Sequence, residues 1–300
     1  MNNKNKKLNS QIEWLVSLSP FAWLFIFFLI PTVIVILIAF RSSGPYGDIL
    51  PGWTLDNFKS MLKPYYLIII WRTIWISIIS TASCLLLAIP VAYYMSRLSK
   101  KWRQLMMVLV IVPFWTNFLV RIFSWQLVLN PEGILKKVLL FLGLVSEQTM
   151  LLYQPGTVIL VIVYTYLPFA ILPIYATAEK FDFNLIEAAY DLGAGRTRAF
   201  FYIFIPGISK ALKTSTFMVL IPCLGSYVIP DIVGGTGCEM IGNIIASRAF
   251  VARNIPMAAA WSSVLMIIIL LPFALVLTSQ LLARKNQIKI ENKVLGASHK

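Results

Sequence analysis

Few residues in this chain of 300 are equipped for covalent chemistry. The one histidine, His299, lies in the polar C-terminal end. Cys84, Cys223 and Cys238 form no C-x-x-C pair, and the first two sit inside apolar runs, where a thiol serves as a small packing group. There is no Ser/His/Asp set, no pair of carboxylates inside an apolar run, and no spacing of metal ligands, so neither a catalytic centre nor a metal site is expected. What remains is one spaced polar pattern and a few groups at breaks in apolar runs. The pattern reads Glu187-Ala188-Ala189, three residues, Gly193, nine residues, then Ile203-Phe204-Ile205-Pro206. Glu187 offers one directional charge to a basic or amide partner, and two adjacent alanines allow close approach of another backbone. At the breaks stand Trp115, Tyr227 and Asp231, two aromatic faces and a carboxylate, the groups a cation needs when it crosses apolar surroundings. Each has a plainer reading: Trp115 as a packing or interfacial ring, Asp231 as a helix cap. Arg121 opposes a cation pathway. At a helix centre it costs about 2.5–3.5 kcal/mol on insertion scales, so a structural role is expected, paired to a carbonyl or to a partner chain.

The elements that carry these groups are apolar. Hydrophobic residues make up 59% of the chain and charged ones 13%, against roughly 25% charged in soluble domains. A bilayer-spanning helix needs about 20 mostly apolar residues. Six such runs are present: Phe21 to Phe40, Ile69 to Met95, Leu105 to Leu129, Thr157 to Ala178, Ser215 to Val233, and Met257 to Leu282. The first follows Lys4, Lys6 and Lys7, but its length and the lack of an A-x-A site make it a retained helix rather than a signal peptide. The net charge of +14 does not point to nucleic acid, because the basic residues gather at the ends of apolar runs. They concentrate before the first run, from Arg97 to Arg103, from Lys180 to Lys213, and from Arg284 to Lys300, all on one side of the bilayer. Both termini are therefore expected in the cytoplasm. Pro113, Pro168, Pro173, Pro222, Pro230 and Pro272 fall inside or beside the runs, and the stretch from Pro222 to Pro230 is the most broken. Interrupted helices often line transport pathways, although any single proline also makes an ordinary kink.

The long polar connection from Glu179 to Lys213 lies on the expected cytoplasmic side. Asp182 or Asn184 can cap a helix, and Leu185, Ala188, Ala189 and Leu192 recur at helical spacing. Gly193 suits a left-handed stop. A second helix should begin near Arg196 and close at Pro206. Such a pair must bury its apolar face, either against its own bundle or in another protein, and on physics alone both are open.

The spaced pattern resembles the EAA loop of permeases of ATP-binding-cassette (ABC) importers, E-A-A, three residues, G, nine residues, I-x-L-P, with Ile205 in place of Leu as the one departure. The stretches Val112 to Asn117, Arg121-Ile122, Leu167 to Phe169, Glu179-Lys180, Asp191 to Ala194, Gly234-Gly235 and Ile241 to Asn243 further resemble permeases of the spermidine/putrescine type, first of two permease subunits, over about residues 15 to 285. The resemblance implies an all-α membrane protein with the type I importer permease fold. It implies one transmembrane domain over 1–300, with a six-helix core at about 15–285, a coupling loop at about 179–213 and a polar tail at 285–300. It implies that Glu187, Ala188 and Ala189 face a groove on a separate ATPase, that Gly193 makes the turn, and that Ile203 and Pro206 complete the loop. It also implies partners: a second permease, two ATPase subunits and an extracytoplasmic polyamine-binding protein at the bacterial inner membrane. No G-x-x-x-x-G-K-[ST] pattern occurs, so ATP is expected on the partner and no cofactor on this chain. Other small-solute importers share the scaffold. An ion-driven secondary transporter usually carries intramembrane carboxylates for coupling, and none lies deep in a run here; a membrane enzyme would need the catalytic set that is lacking.

Overall fold

A computed structural model describes residues 18, 20–44, 47–272, 274 and 278. The lysines before the first run, the tail at 285–300 with His299, and the end of the sixth run lie outside the described residues. Helices dominate. Four are long and apolar enough to cross a bilayer: α1 (Pro20–Ala39), α3 (Pro64–Arg97), α7 (Pro155–Ala178) and α12 (Ile255–Pro272). Two bent pairs bring the number to as many as six, α4 (Lys100–Trp115) with the helical segment Phe118–Phe141 at 91°, and α9 (Arg196–Gly207) with α10 (Ser209–Leu224) at 71°. Between them lie α2 (Asp56–Ser60), α5 (Phe118–Leu129), α6 (Ile134–Phe141), α8 (Asn184–Asp191) and α11 (Ile241–Val251).

Two of the six expected runs differ in shape from a straight span. The run from Leu105 to Leu129 is broken at Thr116 and Asn117, whose backbones are extended. Asn117 caps α5, its side-chain oxygen accepting from the N–H groups of Leu119 at 2.9 Å and Val120 at 3.4 Å. The run from Ser215 to Val233 starts earlier, at Ser209, and stops at Leu224. Gly225 ends the helix, and Pro230–Gly234 forms a separate single wide turn. A small β-hairpin also joins the helical architecture, Arg41–Ser43 (β1) antiparallel to Ile49–Trp53 (β2).

The chain divides into two compact units, Pro64–Asn243 and the flanking Met1–Lys63 with Ile244–Lys300. In the first unit α3, α7 and α10 pack on one another. Cys84, Ala88 and Ala92 of α3 recur every fourth residue and are fully buried. Small residues at that spacing let membrane helices approach closely, where packing rather than hydrophobicity drives association. The opposite face of α3 carries Trp71, Ile78 and Leu86, all more than half exposed, as suits contact with lipid. Ser215 of α10 donates to the Ala170 carbonyl of α7 at 3.2 Å, a buried polar tie between spans. In the flanking unit, buried Asn57 donates to the carbonyls of Ala39 and Arg41, each at 2.9 Å, and fixes α2 at the end of α1. Gly47 has a positive φ of 87°, and a Cβ there would overlap the Arg253 carbonyl, so the hairpin turn and the start of α12 meet backbone to backbone.

Candidate functional site

The polar connection after α7 folds as the expected pair of helices. Asp182 starts α8 by accepting from the Asn184 N–H at 3.1 Å. The helix stops in a Schellman arrangement: Ala194 N–H bonds the Ala189 carbonyl and Gly193 N–H the Tyr190 carbonyl, both at 2.9 Å, with Gly193 at φ 82°. No atom lies within 4 Å of a Cβ built on Gly193, so its backbone angle alone calls for glycine.

Helix α8 has two apolar stripes. Ile186 and Ala189, 1% and 8% exposed, turn toward the protein's own core. Leu185 and Leu192, 52% and 89% exposed, turn outward with Ala188 and Glu187. Of the three residues expected to meet a partner groove, Glu187 and Ala188 are therefore on the open face, and Ala189 is on the other.

An aromatic cluster pins this loop to the membrane helices. Phe204 of α9 is fully buried, with ring centroids 4.8 Å from Tyr93 of α3 and 5.3 Å from Phe181, both edge-on. Phe200 meets Tyr93 at 5.1 Å, and Phe181 meets Phe183 at 5.3 Å. Edge-to-face contacts of this kind add about 0.5–1.5 kcal/mol each beyond burial. Gly207 lies against the Phe181 ring, where a Cβ would overlap it. Ile203 is half-buried beside the cluster and Pro206 is exposed. A wide turn at Phe200–Phe204, in which Ile205 N–H bonds the Phe200 carbonyl, directly precedes Pro206. Such turns are frequent at functional sites. A second tie joins Arg103 of α4 to Glu179 at 3.3 Å.

The groups expected along a pathway are only partly brought together. Tyr227 is 48% exposed, Asp231 is exposed, and the Asp231 N–H bonds the Tyr227 carbonyl at 3.0 Å, so the two share one turn. Trp115, 79% exposed at the end of α4, makes neither a ring contact nor a hydrogen bond with them. Arg121 lies with its guanidinium 5.5 Å from the Phe114 ring, and its buried Nε has no hydrogen-bond partner. The organiser of the broken segment is Asn243, 8% exposed. It donates to the Tyr227 carbonyl at 2.9 Å, reaches Asp231 Oδ1 at 3.5 Å, and accepts from Met240 N–H at 3.0 Å. Beside it, Ile241 N–H bonds Thr73 of α3 at 2.9 Å, and a Cβ on Gly242 would overlap the Ser226 carbonyl. The sequence placed Asn243 in a resembling stretch without giving it a role, and it did not single out Glu239, whose carboxylate accepts from the Tyr65 hydroxyl at 2.7 Å. The available signal was Glu239-Met240-Ile241-Gly242-Asn243 itself, polar and small residues bracketing an apolar pair just after Gly234-Gly235.

Residues 84–283 match the family described as the binding-protein-dependent transport system inner membrane component. The chain is 34% identical to the spermidine/putrescine transport system permease protein PotB of Haemophilus influenzae, over 95% of this chain and 100% of that protein. It is 34% identical to PotB of Escherichia coli, covering 82% and 90% of the two chains. The inner membrane ABC transporter permease protein YdcU of Escherichia coli is 30% identical, with 88% of each covered. Among solved structures, a chain of a bacterial ABC transporter involved in the import of the acidic polysaccharide alginate superposes with a TM-score of 0.71 at 18% identity, over 90% of this chain and 96% of that one. That likeness carries the fold.

Proposed function

The chain belongs to the binding-protein-dependent transport inner membrane component family, and from that premise we propose that it is the permease subunit of a polyamine importer driven by a separate ATPase. Membership makes it a multi-pass inner membrane protein. The solute follows from relatives at 34% identity over nearly the whole chain, named for spermidine and putrescine.

The observation that carries the coupling role is the open face of α8. Leu185, Ala188 and Leu192 form an apolar stripe on a short helix whose other face is anchored. Burying a leucine side chain is worth about 1.5–3 kcal/mol, so a groove on the ATPase that covers this stripe binds it firmly, and Glu187 sets its direction. Movement of α8 reaches the spans through Phe204 and Tyr93 and through the bend between α9 and α10. ATP stays on the partner. A second permease closes the pathway, two ATPase subunits take the coupling helices of the two permeases, and an extracytoplasmic binding protein delivers the solute. On this chain Tyr227 and Asp231, held by Asn243, supply an aromatic face and a carboxylate to the passing ammonium groups.

Uptake of labelled spermidine and putrescine tests this in cells lacking their own importer, with this chain and its neighbouring genes expressed with and without the ATPase. Uptake that needs both is the expected result. ATPase-dependent uptake of another solute alone removes the polyamine, and uptake without any ATPase removes the importer.

A further inference from the structure

A cavity of about 630 Å³ lies between the end of α3 and the α8–α9 pair, within the unit Pro64–Asn243. Arg97, from the last turn of α3, and Arg196, from the first turn of α9, both line it, with Tyr94, Tyr190 and Phe201 around them. No carboxylate lines it, and among the described residues neither arginine belongs to an ion pair. Arg97 is oriented without being neutralised. Its Nη1 donates to the Tyr93 hydroxyl at 3.0 Å, and its guanidinium lies 5.6 and 5.5 Å from the rings of Tyr93 and Phe183. A guanidinium held by rings keeps most of its five donors for a ligand. Two of them around one cavity, with no counter-charge, focus a positive field into it. The chemistry that answers is an oxyanion able to take several N–H donors, which a phosphate does.

The walls narrow the source. Tyr94 and Phe201 are 69% and 59% exposed, and the cavity reaches back along α3 to Pro90. A free phosphate gains nothing from aromatic walls. A phospholipid places its phosphodiester on the arginines and its glycerol and first acyl carbons on the rings, at the end of a helix that crosses the bilayer. We infer that this cavity binds the phosphodiester headgroup of an anionic phospholipid in the leaflet that meets the C-terminal end of α3. Basic pockets between membrane helices are built for such headgroups. The inference rests on the family's membrane-spanning fold and is independent of the solute.

The test uses the chain purified in mild detergent with its co-expressed partner subunits. Bound lipid is extracted and counted as phosphatidylglycerol against phosphatidylethanolamine, with uptake measured separately. Near the membrane surface each basic side chain contributes about 1 kcal/mol toward an anionic lipid. Arg196→Gln, an exposed position, should lower phosphatidylglycerol retention about fivefold, and the double change with Arg97→Gln about thirtyfold. Arg196→Lys should keep most of it. Unchanged phosphatidylglycerol in Arg196→Gln overturns the site. So does displacement of the lipid by millimolar inorganic phosphate, which makes it a free-anion site. Loss of ATPase co-purification with lipid unchanged also overturns it, assigning the arginines to a protein partner.

Discussion

Two glycines and two alanines separate what a side chain does locally from what it does for the loop. Gly193 has a positive φ and open space around it, so Gly193→Ala costs backbone strain alone, about 1–2 kcal/mol. Gly207 has no such strain to relieve, but a methyl group there displaces the Phe181 ring and loosens the cluster around Phe204. Limited proteolysis of the loop in detergent should show Gly207→Ala cut faster than Gly193→Ala. The alanines divide by face. Ala188→Leu leaves the fold intact and blocks the open stripe, so uptake falls while surface expression holds. Ala189→Leu forces bulk into a buried position, which costs about 1–3 kcal/mol, so expression and uptake fall together. Equal effects of the two on expression would show that α8 does not have the inner and outer faces described. The stop at Gly193 was legible because a left-handed C′ residue is a purely local requirement. The inward turn of Ala189 was not. An eight-residue helix and its C-cap, with apolar side chains at 185, 186, 188, 189 and 192, offer two stripes, and spacing cannot choose between them without the Tyr93 and Phe204 rings that make one face a core.

At the scale of elements, the four uninterrupted spans were readable from length and apolarity, within about five residues at the ends that lie among the described residues. The close of α9 was readable at Pro206, but the bend inside the run from Leu105 to Leu129 was not, because a hydropathy window reports how apolar a run is and nothing of its direction. The break before α5 did leave a mark, Asn117 ahead of an apolar run, which is an N-cap signal. Asn117→Ala removes the acceptor for the Leu119 and Val120 N–H groups and should cost about 1 kcal/mol, read as a lower melting temperature in detergent. The segment after α10 depends on one side chain in the same way. Asn243→Ala leaves the buried Met240 N–H without its acceptor, a loss of about 1–3 kcal/mol for a group left unsatisfied, and leaves the Tyr227 carbonyl with the Asp231 N–H alone. The expected outcome is strongly reduced uptake at normal surface level, since Tyr227 and Asp231 lose their placement while the α3, α7 and α10 core is untouched. Asn243→Asp keeps the acceptor for Met240 and loses the donor to Tyr227, so it should fall between alanine and the native residue.

For the whole molecule, the direction of insertion decides whether the loop can meet an ATPase at all. The basic residues favour one side, and that side holds the loop from 179 to 213. The chain is well suited to test this by thiol labelling. Cys84, Cys223 and Cys238 are all buried, and burial raises the Cys238 thiol above its ordinary range. The thiolate is the reactive form, so the native chain gives a quiet background. Glu187→Cys places a thiol on the open face of α8, and Ile134→Cys places one on α6, where the native side chain is 75% exposed. With an impermeant maleimide added to intact cells from which the outer barrier has been removed, residue 134 should label and residue 187 should not. In inverted vesicles the pattern should reverse, and co-expression of the ATPase should then protect residue 187 while leaving the other unchanged. Labelling of residue 187 from outside would place the helix pair on the wrong side for any cytoplasmic ATPase, and the coupling role of Leu185, Ala188 and Leu192 would fall with it. Labelling from inside without protection would keep the insertion and remove the contact.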